Sequence, residues 1–125
     1  MSDRISYQFD PTVNVLIKVY IGDVSLDDIF SSWDEAIASN KIPPQTIGFV
    51  LDYRRAKNRV PPQDYKTIAN YLDQNKDVFG VRRMGFITNN PIDTIIPVLL
   101  ETLDTSFELK LFSTIEAALE WITSK

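Results

Sequence analysis

The sequence predicts a single-domain α/β protein whose five-stranded sheet is mixed and mostly parallel, with helices packed on it. Two alternating strand patterns open the chain, and helix and strand patterns then take turns to its end. A length of 125 residues suits one domain with one core. No repeat, low-complexity tract or linker interrupts residues 1–125. We therefore predict one domain with the element order ββαβαβαβα.

The first two strands are predicted to form an antiparallel hairpin. Residues 4–9 alternate between apolar and polar side chains, and residues 13–21 alternate in the same way. The short turn DPT at residues 10–12 joins them, and Gly22 is predicted to end the hairpin. This pairing supplies the antiparallel part of the sheet.

A helix and a buried strand follow the hairpin. Ser25 is a predicted N-cap, and apolar residues recur at helical spacing from Leu26 to about Ser39. The run TIGFVL at residues 46–51 is continuously apolar, which favours a central strand that is buried on both faces. A loop at residues 53–62 is predicted to lead from this strand into the second helix.

The second helix is predicted to begin at two adjacent prolines, 61 and 62, because proline fits the first turn of a helix. Its apolar face includes Tyr65, Ile68 and Leu72, and it ends near Phe79. The fourth strand is predicted at residues 81–88.

The third helix is predicted over residues 92–104, and it contains a proline. Pro97 means that this helix either starts late, near Thr94, or is kinked. A fifth strand is predicted at residues 107–112, and Ser113 or Thr114 is predicted to cap the last helix.

Composition excludes several classes of function. The net charge of −4 and the pI of about 4.7 argue against general nucleic-acid binding. The chain has no histidine and no cysteine, so it cannot form a Ser-His-Asp or Cys-His site or the usual zinc sites. We therefore predict a protein that is not an enzyme and that carries no cofactor or metal.

The compartment is predicted from what the sequence lacks. The longest apolar stretch, IIPVLL at residues 95–100, is too short to span a bilayer, and no signal-peptide pattern opens the chain. A cytoplasmic protein that does not span a membrane is the expectation.

One stretch of this acidic chain is strongly basic, and it follows the predicted central strand. Ligands of parallel sheets bind beyond the carboxyl ends of the strands, which is where this stretch is expected. Arginine can bind phosphate or carboxylate through two hydrogen bonds, so an anionic ligand or partner is one interpretation. The other is a solvated connector whose arginines pair with Asp52, Asp64 or Asp73. The predicted binding residues are Asp52, Arg54, Arg55, Lys57 and Arg59.

The third helix is apolar on more than one side. Its surplus apolar surface predicts a dimer or partner interface or a gate over an apolar pocket. The alternative is a helix buried by its neighbours, especially by the last helix with Trp121. The predicted interface residues are Ile95, Ile96, Leu99, Leu100 and Leu103.

Two segments and the element order resemble the STAS superfamily and, more narrowly, the SpoIIAA-like proteins, which are related in fold to anti-sigma-factor antagonists. The segments are VLDYR at residues 50–54 and FSTIEAALEWI at residues 112–122. The resemblance implies a non-enzymatic switch or adaptor. STAS antagonists carry a phosphorylatable Ser or Thr just after the strand that ends in Asp, but residues 52–66 contain neither. The first such residue is Thr67, so the switch residue is not transferred to this chain.

The sequence therefore predicts a small cytoplasmic regulatory or protein-interaction module that is non-catalytic. Its partner would be another protein or a second copy in a homodimer. The alternative is a binding protein for a small anionic or lipid-like ligand, held between the loop at residues 53–62 and the third helix. Similarity of the fold to the lipid-binding CRAL-TRIO type keeps this alternative open.

Overall fold

A computed structural model describes residues 4–125 of the chain. Five strands form one sheet in the order β1-β2-β3-β4-β5. β1 pairs with β2 in the antiparallel direction, and all other pairs are parallel. The strands are β1 (Ile5–Asp10), β2 (Val15–Val24), β3 (Gly48–Asn58), β4 (Arg83–Ile87) and β5 (Glu108–Phe112). The predicted mixed, mostly parallel sheet is confirmed.

Among residues 4–125, four helices lie between the strands and a fifth follows β5. They are α1 (Leu26–Ala38), α2 (Tyr65–Gln74), α3 (Lys76–Phe79), α4 (Ile95–Glu101) and α5 (Ile115–Thr123). Short 3-10 turns, Pro62–Asp64 and Pro91–Thr94, precede α2 and α4. Ser25 caps α1 as predicted: its Oγ accepts from the backbone N–H of Asp28, whose carboxylate accepts from the N–H of Ser25.

The two faces of the sheet are covered unequally. α1, α2, α3 and α4 contribute to the main core on one face, where the ring of Trp33 packs edge-on against Phe49 at 5.1 Å and Phe79 at 5.0 Å. α5 lies alone on the other face, with Ala118 and Ile122 against β2, β3 and β4. The sheet therefore has one fully covered face and one partly covered face.

The end of β3 differs from the prediction. Residues 53–58 were expected in a loop, but β3 continues to Asn58 because β2 also continues, to Val24, and pairs with it. Gly22, which was expected to end the hairpin, instead lies within β2 opposite Ala56 with a φ of 77°. A glycine accommodates this left-handed conformation without a steric penalty, so the strand continues past it.

The helix predicted as the third one is α4 in the structure, and we keep the name third helix for it. It starts late, which is one of the two predicted alternatives. The turn Pro91–Thr94 comes first, and Pro97 occupies the third position of α4, where a backbone N–H has no partner within the helix. The expectation that Trp121 buries this helix is wrong. Trp121 belongs to the cluster on the α5 face, where its ring lies 5.6 Å from that of Phe112.

Close approach of α5 to the sheet depends on a glycine in β4. A Cβ atom built at Gly85 would lie 2.8 Å from the Cβ of Ala118, which is closer than methyl groups can pack. The absence of a side chain at Gly85 therefore sets the distance between α5 and the sheet.

We expect Gly85→Ala to destabilise the fold by about 1–3 kcal/mol through overpacking. Ala118→Gly alone should cost about 1 kcal/mol in helix propensity. The double variant Gly85→Ala/Ala118→Gly should lose less stability than the sum of the two single losses, because Ala118→Gly removes the methyl group that clashes. Urea unfolding followed by circular dichroism measures this. The matched pair Gly85→Ala with Ala117→Gly, at an exposed position of the same helix, should be additive. Additivity in both pairs would contradict the packing argument.

Candidate functional site

β2 and β3 continue to pair with each other beyond the end of β4. β4 stops at Ile87, opposite Asp52, whereas residues 21–24 of β2 pair with residues 55–58 of β3. We call this two-stranded part the β2–β3 extension. The register shifts at its start, because β2 advances two residues from Val19 to Ile21 while β3 advances three from Asp52 to Arg55. The extra residue in β3 forms a bulge.

The bulge is closed by an ion pair between Asp52 and Arg54. Arg54 donates from Nε to Oδ1 of Asp52 at 2.9 Å and from Nη2 to Oδ2 at 2.8 Å, and its backbone N–H also donates to Oδ1 at 3.1 Å. Asp52 is buried, which alone would raise its pKa, but the hydrogen bonds from Arg54 outweigh burial and lower that pKa. Asp52 is therefore an ionised, fully occupied carboxylate.

The remaining basic residues of β3 share one face of the extension. Ala56 packs in the main core, so its neighbours Arg55 and Lys57 project to the opposite face, on which α5 lies. They stand beside Ile21 and Asp23 of β2, their partners in the register. α5 covers the part of this face formed by β3, β4 and β5. We call the uncovered part the basic face; it comprises Asp23, Asp52, Arg54, Arg55, Lys57 and Arg59. Asp52, and to a lesser extent Glu116 in the first turn of α5, raise the pKa of Arg54.

The basic face contains four cations and two carboxylates, and only two of the cations form ion pairs. Asp52 holds Arg54, and Asp23 accepts from Nε of Arg59 at 3.0 Å. The side chains of Arg55 and Lys57 are exposed, and neither forms a hydrogen bond or an ion pair with a residue from 4 to 125. Of the pairings expected for a solvated connector, that with Asp52 is present, but Asp73 accepts from Ser106 instead. Two cations of the predicted site are therefore unpaired within the described chain.

A cleft lies where β3 ends, on the side of the third helix. Its volume is about 280 Å³, and we call it the β3–α4 cleft. Of the predicted binding residues only Arg59 lines it, and Arg54, Arg55 and Lys57 line none of the four best-defined clefts of the described surface. Its other walls include Asn58, Val60, Asp93, Ile95 and Ile96.

Asp93 is a further polar group of this cleft: its place after the fourth strand in the sequence allowed a polar-ligand or Mg²⁺ site near Asp52, but it was not among the predicted binding residues. The residue is 4% exposed, and its Oδ2 has no hydrogen-bond partner in the described structure. Burial raises the pKa of Asp93, while the backbone N–H of Asn58 and the charge of Arg59 act in the other direction. Its position after β4 was the one available signal, but sequence adjacency did not show that it would meet the end of β3.

The residues predicted as an interface on the third helix fall into two groups. Ile96 and Leu100 are 6% and 4% exposed and belong to the main core, so they cannot form a surface contact. Leu99 and Leu103 are half-buried. Ile95 is exposed, together with Ile92 and Val98, which were not predicted for the interface. The most regular apolar face of this helix points into the main core, so its exposed apolar surface consists of Ile92, Ile95 and Val98.

A lysine is completely buried in the main core, and no pattern in the sequence indicates this. Lys18 donates from Nζ to Oγ of Ser32 at 2.6 Å, and Nζ lies 3.8 Å from the centre of the Trp33 ring. The rings of Tyr20 and Tyr7 are 4.9 and 5.4 Å away. No carboxylate among residues 4–125 pairs with it. Burial lowers the pKa of Lys18 well below the usual range of a lysine.

We expect Lys18→Met to stabilise the protein at pH 7. The unfolded chain binds a proton that the buried lysine gives up on folding, so wild-type stability rises with pH up to the ordinary lysine pKa of about 10.4. The advantage of the variant should therefore shrink as the pH is raised toward that value. Urea titrations across this pH range measure it, with Lys76→Met, at an exposed site, as the control. A wild type that is more stable than the variant at pH 7 would show that the rings hold a charged lysine.

Comparison with known proteins supports the fold. No helix in the described part of the chain is long and apolar enough to cross a membrane. No family model and no curated protein matches the sequence. The crystal structure of an uncharacterised protein of the DUF3478 family from Shewanella loihica PV-4, described as having a SpoIIAA-like fold, matches with a TM-score of 0.61. The match covers 98% of each chain at 15% identity. The chain therefore has the SpoIIAA-like fold that the resemblance predicted.

Proposed function

We propose that the chain is a protein-interaction module that binds an acidic segment of a partner protein through the basic face. The observation that carries the proposal is that two cations, Arg55 and Lys57, have no ion-pair partner on a strand whose shape is fixed by its bulge and by its hydrogen bonds to β2. Half-buried Val19 and Ile21 lie beside them on β2. An extended segment with alternating acidic and apolar residues matches this arrangement of charge and apolar surface.

The shape of the basic face favours a macromolecular partner over a small ligand. Small-molecule sites are concave and enclose most of their ligand. The basic face is the surface of a sheet, and Arg54, Arg55 and Lys57 line none of the four clefts. In water, contact between two exposed cations and a small anion contributes little binding free energy. A longer segment adds apolar contacts to the same charge contacts.

The proposed module is non-catalytic and works without the phosphorylation switch of STAS antagonists. Asp52, the buried carboxylate of the basic face, is held by Arg54 through two side-chain hydrogen bonds and is not free to act as a base. The first Ser or Thr after β3 is Thr67, which lies in α2 on the main-core side of the sheet. The cytoplasm is the compartment in which we expect such a module to act.

The alternative, a small anionic or lipid-like ligand, would have to occupy the β3–α4 cleft, because this cleft lies between the end of β3 and the third helix. Arg59 is the cation available there, and its Nε already donates to Asp23. The buried carboxylate of Asp93 would repel an anion. The charges of the cleft therefore favour the protein-interaction proposal over an anionic ligand.

We expect the double variant Arg55→Glu/Lys57→Glu to bind an acidic peptide about tenfold more weakly than the wild type, because two favourable charge contacts become repulsive. The probe is a fluorescent peptide of alternating Asp and Leu, and anisotropy measures its affinity. Binding to the wild type should weaken as salt is added.

The matched control is Lys66→Glu/Lys76→Glu, which reverses two exposed lysines on the other side of the sheet. It should bind like the wild type, and a peptide with Ser in place of Asp should bind weakly to all forms. Equal affinity of both double variants for the acidic peptide would contradict the proposal. So would an acidic peptide that binds no better than the Ser peptide.

A homodimer through the third helix is a weaker candidate. Its exposed apolar residues are Ile92, Ile95 and Val98, at 73%, 43% and 48% exposure. A stable interface buries about 800 Å² on each partner, and three such side chains supply only part of that area. We expect sedimentation at micromolar concentration to give a monomer, with no change in Val98→Glu. A dimer dissociated by Val98→Glu, but not by Val81→Glu at a 76% exposed position, would instead assign this surface to a second copy.

A further inference from the structure

The β3–α4 cleft combines apolar walls with one carboxylate. It lies at the carboxyl end of β3, the end at which parallel sheets bind ligands. Val60 and Ile96 form buried apolar wall, and Ile92 and Ile95 form an exposed apolar rim. Asn58, Arg59 and Asp93 supply the polar groups. A volume of about 280 Å³ is near the lower end of the range for small-molecule sites.

The carboxylate of Asp93 is incompletely satisfied. Asp93 is 4% exposed, and its Oδ2 has no hydrogen-bond partner in the described structure. Asp52 is as deeply buried, but both of its oxygens accept from Arg54. A buried carboxylate without a full set of partners destabilises a fold, and such groups are typical of binding sites.

No cation among residues 4–125 donates a hydrogen bond to Asp93 or forms an ion pair with it, although the charge of Arg59 is near enough to oppose the rise that burial causes in its pKa. Arg59 lines the same cleft, but its Nε donates to Asp23, which balances its charge. Lys57 projects to the other face of the sheet, because its neighbour Ala56 packs in the main core. The missing partner is therefore expected to come from outside the described chain.

We propose that the β3–α4 cleft binds a small organic cation, a primary ammonium group on an apolar body, with Asp93 as its counter-ion. The ammonium group donates to the carboxylate of Asp93, and the apolar body lies against Val60, Ile95 and Ile96. Arg59 is the one residue that this site shares with the basic face, and its test does not depend on Arg55 and Lys57.

Straight-chain alkylammonium ions are the probes. Butyl-, pentyl- and hexylammonium chlorides are titrated into the ¹⁵N-labelled chain, and shifts of the backbone amide signals report both affinity and location. Saturable shifts are expected at Asn58, Asp93 and Ile95, with affinity rising about fourfold or less per methylene group while the cleft still has room. Hexanol and hexanoate test whether the charge is required, and both should bind at least about tenfold more weakly.

Asp93→Asn keeps the shape of the side chain and removes its charge. It should weaken hexylammonium binding at least about tenfold, whereas Asp77→Asn, at an exposed site, should leave binding unchanged. The wild-type shift map needs no variant, so the site remains testable if Asp93→Asn does not fold.

Four results would overturn the proposal. They are no saturable shift with any ammonium ion, shifts that map away from the cleft, equal affinity in Asp93→Asn, and tighter binding of hexanoate than of hexylammonium. The last of these would assign an anion to the cleft.

Discussion

The pairing of β2 with β3 beyond the end of β4 is the constraint on which the candidate sites depend. Without it, residues 53–58 would form a loop, and their cations would have no fixed face. With it, the bulge after Asp52 turns Arg54 and Arg55 toward solvent while Tyr53 and Ala56 stay in the core. On the core side the ring of Tyr53 stacks between those of Tyr20 and Phe86, at 4.3 Å from each. Aromatic stacking therefore fixes the inner side of the strand whose outer side carries the charges.

The element order of the fold could be predicted because its signals are local. The capping box at Ser25, the alternation of β1 and the apolar run of β3 each follow from side chains close together in the sequence. The late start of α4 was one of two alternatives, and it followed from Pro97. Local signals specify where an element lies, but they do not show which face of the sheet it covers. Trp121 was therefore expected beside the third helix, although α5 packs on the opposite face.

The extent of β3 could not be predicted, because its second half lacks a strand pattern. Only Ala56 of residues 54–58 is fully buried, and four of these five residues are polar. Pairing with β2 keeps them in the sheet, and pairing is a tertiary property that a single segment does not show. The charged residues from 52 to 59 could nevertheless be read from the sequence, whereas Asp23, which β2 brings beside them, could not. The structure differs from the prediction in geometry, because these residues lie on one face of a strand and not in a loop.

Two buried ionisable groups, Lys18 and Asp93, lie on the main-core side of the sheet without forming an ion pair with each other. Lys18 stands beside the ring of Tyr20, and Tyr20 stacks on Tyr53. Asp93 lies beyond Tyr53, near enough to add to the effect of burial in raising the pKa of that tyrosine. Two stacked rings therefore stand between the amine and the carboxylate. Lys18 can fold as a neutral amine among rings, because its hydrogen bond to Ser32 and its apolar surroundings suffice. Asp93 lines the β3–α4 cleft, whereas Lys18 lines none of the four clefts, which is the physical reason to assign a ligand to the carboxylate and none to the lysine.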